Sequence, residues 1–266
     1  MKSIHSKDNP QVKALIKLAG SSRERRRTGT TLLEGEHLLR AYQESGGMAE
    51  TVLASETALA RPEIRSFFES VSAKSRLALA DGLLARISQL VSSAGVAAVI
   101  RTPRTGPVPQ SVSNCLLLEN IQDPGNLGSI LRTAVAAGIP HVFLSKGSVF
   151  AWAPKVIRAG MGAHFFLSIF EGVDVDEFAR SFRGSVVAME PRAPASLYGV
   201  DLRGPVAWVF GNEGAGLSDG ARRRATHRVR IPMPGPAESL NVAAAAAICL
   251  FEQIRQRGQI RQRSQT

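Results

Sequence analysis

The sequence predicts an α/β protein whose second half forms a mostly parallel β-sheet with helices on both faces. Segments typical of strands alternate with amphipathic segments along most of the chain, and this alternation is characteristic of parallel sheets covered by helices. Residues 115–118 form a continuous apolar run, as expected for a strand that is buried on both faces. We therefore expect a core built around this strand, with a smaller α/β domain before it.

The chain is long enough to form two domains. It has 266 residues, of which 44% are hydrophobic, and a typical domain holds roughly 100–150 residues. The segment TPRTGPVPQSVS contains three prolines and no apolar periodicity, so it predicts a linker. We accordingly predict a first domain over residues 1–101, a linker over 102–113, a second domain over 114–257 and a basic tail over 258–266.

The elements of the first domain follow from local patterns. Val12, Leu15 and Ala19 recur at helical spacing, which predicts a helix over residues 8–20. An arginine-rich segment follows, and we expect it to be exposed. The remaining alternation predicts strands at residues 32–35, 51–54, 77–80 and 96–100 and helices over 36–44, 63–71 and 82–90.

The second domain ends in a helix with a stiff entrance. Pro232, Pro234 and Pro236 fix the backbone before it, and Ser239 predicts the N-cap of a helix over residues 239–255. In chain order, the other predicted strands are 115–118, 141–144, 165–169, 185–189, 206–210 and 228–231, and the other predicted helices are 127–137, 154–159, 175–182 and 216–224.

The charge of the protein points to a polyanionic partner. The net charge is +11 and the pI is about 10.6, and a protein this basic commonly binds nucleic acid. Because only 6% of residues are aromatic, we expect phosphate contacts and shape recognition more than base stacking. The arginines form three blocks: Arg23, Arg25, Arg26 and Arg27; Arg222, Arg223, Arg224, Arg228 and Arg230; and Arg255, Arg257, Arg261 and Arg263.

Several classes of protein are disfavoured by the composition. No run approaches the ~20 apolar residues of a membrane span, and the amino terminus lacks the apolar segment of a secretory signal, so we expect a cytoplasmic protein. Cys115 and Cys249 lie in apolar surroundings, which favours two buried thiols over a disulfide. The five histidines are scattered singly, and we therefore predict no metal site.

Three loops of the second domain share one pattern, and they lie at residues 119–133, 210–218 and 231–241. Each follows a predicted strand, is rich in Gly, Pro or Asn, and leads into a helix. Such loops line the ligand crevice at the carboxyl ends of parallel strands. A GxGxxG fingerprint, a Walker lysine and a Ser-His-Asp arrangement are all missing from the sequence, so dinucleotide binding and covalent hydrolysis are disfavoured.

Each loop offers polar residues for a site. Asn126 is a predicted helix cap, and Arg132 lies off the buried stripe, where it can reach an anion or be an ordinary surface residue. Glu213 is the lone carboxylate among three glycines, although those glycines could simply form a helix-entry turn. Ser239 and Asn241 are uncharged hydrogen-bond partners, and the alternative for Ser239 is that it only caps the last helix.

The three loops resemble the three motifs of the SpoU (TrmH) family of RNA 2′-O-ribose methyltransferases, in the SPOUT superfamily. The matching stretches are NIQDPGNLGSILRTA, VFGNEGAGLS and IPMPGPAESLNVAAAAAICLFE, and KVIRAGMGAHFF is a further similar segment. The close resemblance covers residues 114–257. More loosely, the first hundred residues, with RRRTGTTLLEGEHLLRA, resemble the L30e-like RNA-binding domain of this family.

The resemblance implies a fold and an activity. It implies a deep trefoil knot in the carboxyl-terminal domain, a homodimer, and transfer of a methyl group from S-adenosylmethionine to a ribose of structured RNA, with large-subunit 23S ribosomal RNA favoured. The alternatives are a transfer RNA substrate and a catalytically silent RNA-binding protein. The implied catalytic positions are Arg132, Asn126, Glu213, Ser239 and Asn241, and the implied cofactor contacts are Gly211, Ile231, Met233, Leu240 and Asn241.

The resemblance also assigns removal of the 2′-hydroxyl proton to Arg132. A guanidinium is a poor base because it does not give up its proton in proteins. We therefore favour the hypothesis that Arg132 holds the phosphate beside the target ribose and makes the hydroxyl more acidic. The sequence departs from the family pattern at Gly160, where many members have serine.

Overall fold

The computed structural model describes residues 2–88, 95–103, 106–109 and 111–258. These residues form two compact units. The first unit contains the described residues up to 103 together with Trp152–Phe165, and the second contains the remainder. None of the described helices is long and apolar enough to cross a lipid bilayer.

Strands and helices alternate along most of the described chain. The elements up to residue 101 are β1 Lys2–Ile4, α1 Pro10–Gly20, α2 Ser22–Thr28, β2 Thr30–Glu34, α3 Glu36–Glu44, β3 Thr51–Ser55, α4 Glu56–Leu59, α5 Pro62–Ser70, β4 Arg76–Leu79, α6 Asp81–Ile87 and β5 Val96–Arg101. The later elements are β6 Asn114–Leu118, α7 Pro124–Ala136, β7 His141–Leu144, α8 Pro154–Gly160, β8 Ser168–Glu171, α9 Val175–Ser181, β9 Ser185–Met189, β10 Ala195–Ser196, β11 Val206–Phe210, α10 Asp219–Arg224, β12 His227–Arg230 and α11 Val242–Gln256.

The first unit is built on a five-stranded sheet in the order β1-β4-β3-β5-β2. The strands β1, β4 and β3 are parallel, whereas β5 runs antiparallel to both of its neighbours. Its core includes Leu53, Leu79 and Ile87, each no more than 1% exposed. The predicted helix over 82–90 ends at Ile87, and its last two positions lie outside the described residues.

The arginine-rich segment of the first unit is a helix, α2, and the expectation of an exposed stretch is wrong at its centre. Arg25 is only 5% exposed. Its Nη1 donates to the carbonyl oxygens of Leu18 and Ala19, both at 2.8 Å. These carbonyls lie in the last turn of α1, where backbone acceptors lack helical partners, so Arg25 has a structural role.

The segment from Trp152 to Phe165 packs within the first unit, although its position in the sequence placed it in the second predicted domain. Thr31 Oγ1 donates to the carbonyl oxygen of Trp152 at 2.7 Å. Arg158 Nη1 lies 3.3 Å from Glu34 Oε1, and the Glu34 side chain is 3% exposed. This segment ends in a short 3₁₀ helix, Ala163–Phe166, so the predicted strand over 165–169 begins three residues late, at Ser168.

The second unit is built on a seven-stranded sheet in the order β10-β12-β9-β11-β6-β7-β8, in which all paired strands are parallel. The predicted mostly parallel α/β fold is confirmed. Cys115 in β6 and Ala207 in β11 pack with Phe178 of α9 and Ala221 of α10 on one face. Neighbouring side chains of a strand point to opposite faces, and Trp208 Nε1 donates to Gln253 Oε1 of α11 at 2.8 Å on the other face.

The two cysteines are both buried, as the sequence predicts. Burial raises the pKa of the Cys115 and Cys249 thiols far above the usual range. A buried neutral thiol behaves as a small apolar side chain. Both cysteines therefore act as packing residues of the second unit.

Candidate active site

The first loop of the site leads from β6 into α7, and Asp123 caps that helix. Asp123 Oδ1 accepts a hydrogen bond from the backbone nitrogen of Asn126 at 2.7 Å, so the prediction that Asn126 is the cap is wrong. Pro124 stands at the first helical position, which its fixed φ favours. Because Asp123 satisfies the backbone at this helix end, the side-chain amide of Asn126 is left for other partners.

The second loop leads from β11 to α10 and folds back on itself. The backbone groups of Asn212 and Gly216 exchange two hydrogen bonds of 3.0 Å. Asn212 Oδ1 accepts from the backbone nitrogens of Gly214 and Ala215 at 2.9 and 2.8 Å. A Cβ atom on Gly211 would lie 2.5 Å from the Gly216 carbonyl oxygen, so only glycine fits where the two sides of this loop meet. The loop presents Glu213 towards the first loop.

The Glu213 carboxylate is held by uncharged donors. Its Oε1 accepts from Asn126 Nδ2 at 3.0 Å and from the backbone nitrogen of Asp123 at 3.3 Å. Partial burial would raise the pKa of Glu213, but the hydrogen bonds from Asn126 and nearby backbone nitrogens outweigh it, and the pKa lies below its usual value of 4.5. Glu213 is therefore ionised at neutral pH and is a weak base.

The third loop runs from β12 to α11, and Asn241 rather than Ser239 caps the helix. Asn241 Oδ1 accepts from the backbone nitrogens of Ala243 and Ala244 at 2.9 and 3.3 Å. Its Nδ2 donates to Asn126 Oδ1 at 2.8 Å. The helix consequently begins at Val242, three residues later than predicted. A single hydrogen-bonded chain, Asn241 to Asn126 to Glu213, thus joins all three loops.

These loops enclose a cavity of about 490 Å³, within the range of typical small-molecule sites. Six of the sequence-predicted site residues line it: Asn126, Gly211, Glu213, Ser239, Leu240 and Asn241. Apolar walls are supplied by Phe210, Leu217 and Val242, among others.

Three sequence-predicted site residues lie outside the cavity lining. Arg132 is exposed on α7, two turns beyond Asn126. Ile231 is buried directly after β12, and Met233 is half-buried in the third loop. The structure thus gathers the polar residues of the three loops into one place and leaves Arg132 apart from them.

The second arginine block is largely engaged by the protein itself. Arg222 Nε and Arg228 Nε contact the two oxygens of Glu190 at 2.6 and 2.7 Å. Arg224 Nε lies 2.9 Å from Asp176 Oδ1, and Arg230 Nη1 donates to the Ala193 carbonyl oxygen at 2.8 Å. The arginines of this block are therefore held by contacts within the protein, and less of their positive charge is available to a ligand than the sequence suggests. In the third block, Arg261 and Arg263 lie outside the described residues.

Sequence reasoning missed three residues that shape the site, namely Asp123, Asn212 and Glu190. The first two had a local signal, because Asp and Asn commonly cap helices and close tight turns through their side chains. Glu190 had no local signal in the sequence, because its partners Arg222 and Arg228 are 32 and 38 residues away.

Two family models match the chain in separate stretches. Residues 113–251 match the SpoU rRNA Methylase family, and residues 9–98 match an MRM3-like substrate binding domain. The first match contains the three loops of the candidate site.

Known proteins resemble the chain over nearly its whole length. An uncharacterized tRNA/rRNA methyltransferase of Synechocystis sp. is 34% identical, and the match covers 96% of this chain and 94% of that protein. The 23S rRNA (guanosine(2553)-2′-O)-methyltransferase RlmP of Bacillus subtilis is 31% identical, with 94% and 98% covered. The solved structure of the SpoU methyltransferase AviRb from Streptomyces viridochromogenes, in complex with the cofactor AdoMet, has a TM-score of 0.82 at 27% identity and covers 95% and 100% of the two chains.

Proposed function

Because the chain belongs to the SpoU rRNA methylase family, we propose that it methylates a ribose 2′-hydroxyl of ribosomal RNA, with S-adenosylmethionine as the methyl donor. The observation that carries this proposal is the hydrogen-bonded chain from Asn241 through Asn126 to Glu213 on the wall of the 490 Å³ cavity. It joins the three stretches that resemble the family motifs. Large-subunit ribosomal RNA is favoured by the named activity of the Bacillus subtilis relative.

The cavity fits S-adenosylmethionine. A ligand with an apolar purine and polar hydroxyl, amine and carboxylate groups needs a mixed wall, and the cavity offers Phe210 and Leu217 beside Asn126 and Ser239. The close approach at Gly211 shapes one side of it. We propose that Gly211, Leu240 and Asn241 hold the cofactor, with Ile231 and Met233 supporting the same loop. When bound, the cofactor supplies a methyl group on a sulfonium centre.

We propose that residues 1–101 bind the RNA and residues 114–257 form the methyltransferase domain, with 102–113 as linker and 258–266 as basic tail. The substrate-binding family match over 9–98 supports the first assignment. For the second domain we propose the trefoil knot of the family, and for the first an L30e-like fold. The small side chains before Cys249 support the knot, because Ala245 and Ala246 are fully buried and allow another backbone to approach closely.

We propose that the protein acts as a homodimer in the cytoplasm. Family resemblance supports the dimer, and a ribosomal RNA substrate supports the location. Light scattering over a range of protein concentrations tests the assembly: a mass of twice 28.4 kDa is expected, and a stable monomer would contradict it.

The residues of the site position the target ribose. Asn126 is fixed through both ends of its amide, by Glu213 and Asn241, so it presents a rigid polar surface beside the cavity. Ser239 supplies a hydroxyl to the same cavity. We propose that Arg132 contacts the phosphate next to the target ribose and makes the 2′-hydroxyl more acidic, because a guanidinium matches phosphate geometry through paired donors.

The role of Arg132 is tested by Arg132→Lys, which keeps the charge and removes the guanidinium fork. We expect single-turnover methylation to fall at least tenfold, since paired phosphate contacts are worth about 1.5–3 kcal/mol. Retention of most of the activity would show that a guanidinium is not needed.

The function is tested by mapping ribose methylation on total RNA from cells with and without this protein. One ribose of large-subunit ribosomal RNA should lose its methyl group in the deletion and regain it on complementation. An unchanged map would contradict the proposal, and a change confined to transfer RNA would assign the other substrate. Calorimetry with S-adenosylmethionine separates a silent RNA-binding protein, which should not bind the cofactor.

A further inference from the structure

A second cavity of about 390 Å³ adjoins the candidate active site. The two cavities share Glu190, Pro191, Arg222 and Ser239 in their walls. Arg192, Arg228 and Glu238 line only the second one. The lining therefore carries three guanidinium groups and two carboxylates, one more positive than negative charge. The exposed Asp219 carboxylate contacts Arg222 Nη1 at 3.3 Å from outside this lining.

Glu190 orders two of these arginines. It is 8% exposed, and its two oxygens are divided between Arg222 Nε at 2.6 Å and Arg228 Nε at 2.7 Å. Burial would raise the pKa of Glu190, but both guanidinium groups lower it, and the net pKa is below its usual value of 4.5. Arg222 comes from α10 and Arg228 from β12, so one buried carboxylate fixes two arginines from different elements.

Both arginines keep donors for a ligand. Each contacts Glu190 through Nε, and Arg222 Nη1 also donates to Asp219 Oδ1 at 3.3 Å. A guanidinium carries five N–H groups in a planar fork, so other donors remain on both. The side chains of Arg222 and Arg228 are 38% and 43% exposed. Two forks held at fixed positions suit the oxygens of a phosphate, which binds arginine through paired charge-assisted hydrogen bonds.

We propose that this second cavity binds a further phosphate group of the RNA substrate, in addition to the one assigned to Arg132, and that Glu190 is a positioning residue that holds Arg222 and Arg228 for it. This inference rests on the proposed function. Ser239 lies in the walls of both cavities, so a phosphate bound here is adjacent to the reaction site. The carboxylate of the cofactor is a less suitable occupant of the second cavity. The cofactor is proposed to bind in the first cavity, and Arg192 and Arg228 do not line that cavity.

The proposal predicts that removing a negative charge at Glu190 weakens RNA binding, the opposite of what simple electrostatics predicts. If the arginines acted only as diffuse positive charge, Glu190→Gln would strengthen RNA binding, because it removes a negative charge. If Glu190 positions them, Glu190→Gln weakens RNA binding, because the two guanidinium groups lose the carboxylate that bridges them, repel each other and lose their fixed geometry; Arg222 keeps only its contact with Asp219. Arg228→Gln should weaken RNA binding in either case.

The experiment measures binding of the full-length protein to large-subunit ribosomal RNA purified from cells that lack it. We expect Glu190→Gln and Arg228→Gln each to lower the affinity about tenfold, the loss of one charge-assisted hydrogen bond. Arg228→Gln should also reduce the slope of log affinity against log salt by roughly one. S-adenosylmethionine affinity and the thermal unfolding midpoint are measured in parallel, to show that the cofactor cavity and the fold are intact.

Asp201→Asn is the matched control. Asp201 also holds an arginine through two contacts, Arg203 Nε at 2.9 Å and Arg203 Nη2 at 2.8 Å. This pair precedes β11 and so lies at the amino ends of the parallel strands, whereas the site loops follow their carboxyl ends. Its RNA affinity should stay the same or rise slightly.

The outcomes separate the two proposals. Unchanged or stronger RNA binding by Glu190→Gln would overturn the positioning role. Loss of cofactor affinity with unchanged RNA affinity would assign the cavity to the cofactor and overturn the phosphate site. If the unmodified protein binds neither cofactor nor RNA, the proposed function itself fails.

Discussion

The surroundings of Glu213 and Glu190 show two ways in which one unit holds a carboxylate at or beside the candidate site. Glu213 accepts only from uncharged groups, the Asn126 amide and backbone nitrogens, so its negative charge is kept within the site. Glu190 accepts from two guanidinium groups, so its charge is more than neutralised. Both carboxylates have a lowered pKa, so the direction of the pKa shift does not distinguish them. The two sites differ in whether the hydrogen-bond donors to the carboxylate are uncharged or positively charged.

The different donors around Glu213 and Glu190 give the two neighbouring regions opposite charges. Uncharged donors hold Glu213 where a cofactor with a positive sulfonium is proposed to bind, and a retained negative charge is favourable there. Charged donors around Glu190 leave a positive surface where an RNA phosphate is proposed to bind. The two regions share Ser239 and lie side by side. The positive sulfonium of the cofactor and the negative phosphate of the RNA would therefore bind in neighbouring regions of opposite charge.

The largest effect is expected for Glu213→Gln. The substitution removes the charge and replaces one acceptor oxygen with a donor. If the amide oxygen keeps the contacts with Asn126 and Asp123, the new NH2 group faces the backbone nitrogen of Gln122, which in the native protein donates to Oε2 at 3.5 Å. Single-turnover methylation should fall about 100-fold or more, the usual consequence of misplacing a positioned group.

Glu177→Gln is the matched control for this change, because Glu177 is exposed in the first turn of α9. Its methylation rate should match that of the unmodified protein. Equal rates for the Glu213 and Glu177 variants would show that the charge at Glu213 has no role in the reaction.

The next effect separates the two roles of Asn241. Asn241→Ala removes both the helix cap and the contact with Asn126, so we expect a loss of about 1 kcal/mol in unfolding free energy together with lost activity. Asn241→Asp keeps an oxygen for Ala243 and Ala244 but cannot donate to Asn126. The aspartate variant should have the same unfolding free energy in urea as the unmodified protein, but its methylation rate should be lower. Full activity of the aspartate variant would contradict a role for the Asn241 to Asn126 contact.

Acid should affect the Glu190 region in a predictable direction. The folded pKa of Glu190 is lowered, so its contribution to stability is complete above the unfolded value of 4.5 and is lost as the pH falls through the folded pKa. In Glu190→Gln, the unfolding midpoint measured by calorimetry should therefore fall less between about pH 6 and about pH 3. An identical acid dependence in both proteins would mean that the Arg222 and Arg228 contacts do not stabilise the folded state.

Much of the fold could be predicted because its signals are local. Predicted strands at 141–144, 185–189 and 206–210 coincide with the observed strands β7, β9 and β11, since parallel strands buried on both faces are continuous apolar runs. The positions of the three loops were predicted for the same reason, from Gly, Pro and Asn residues that interrupt these patterns.

What failed depends on partners far away in the chain or on a choice between neighbours. The predicted starts of α7, α10 and α11 each differ by three residues from the observed ones, because several residues that can cap lie close together. At α11, the three-dimensional contact of Asn241 with Asn126 selects one of them. The second arginine block was overcounted as free charge because Glu190 and Asp176, which pair with Arg222, Arg224 and Arg228, are distant in sequence. The packing of residues 152–165 within the first unit was missed for the same reason: Arg158 meets Glu34 across 124 positions.

The smallest effect on stability is expected for Ser239→Ala. Ser239 precedes the cap of α11 by two residues and is exposed, so unfolding free energy should change by less than about 0.5 kcal/mol, as for surface substitutions in general. Because Ser239 lines both cavities, methylation should nevertheless slow while the unfolding midpoint stays constant. Thermal unfolding and single-turnover assays on one preparation test this, and Ser181→Ala, on α9, is the control. A loss of stability near 1 kcal/mol would restore Ser239 as a helix cap, whereas unchanged methylation would remove it from both regions.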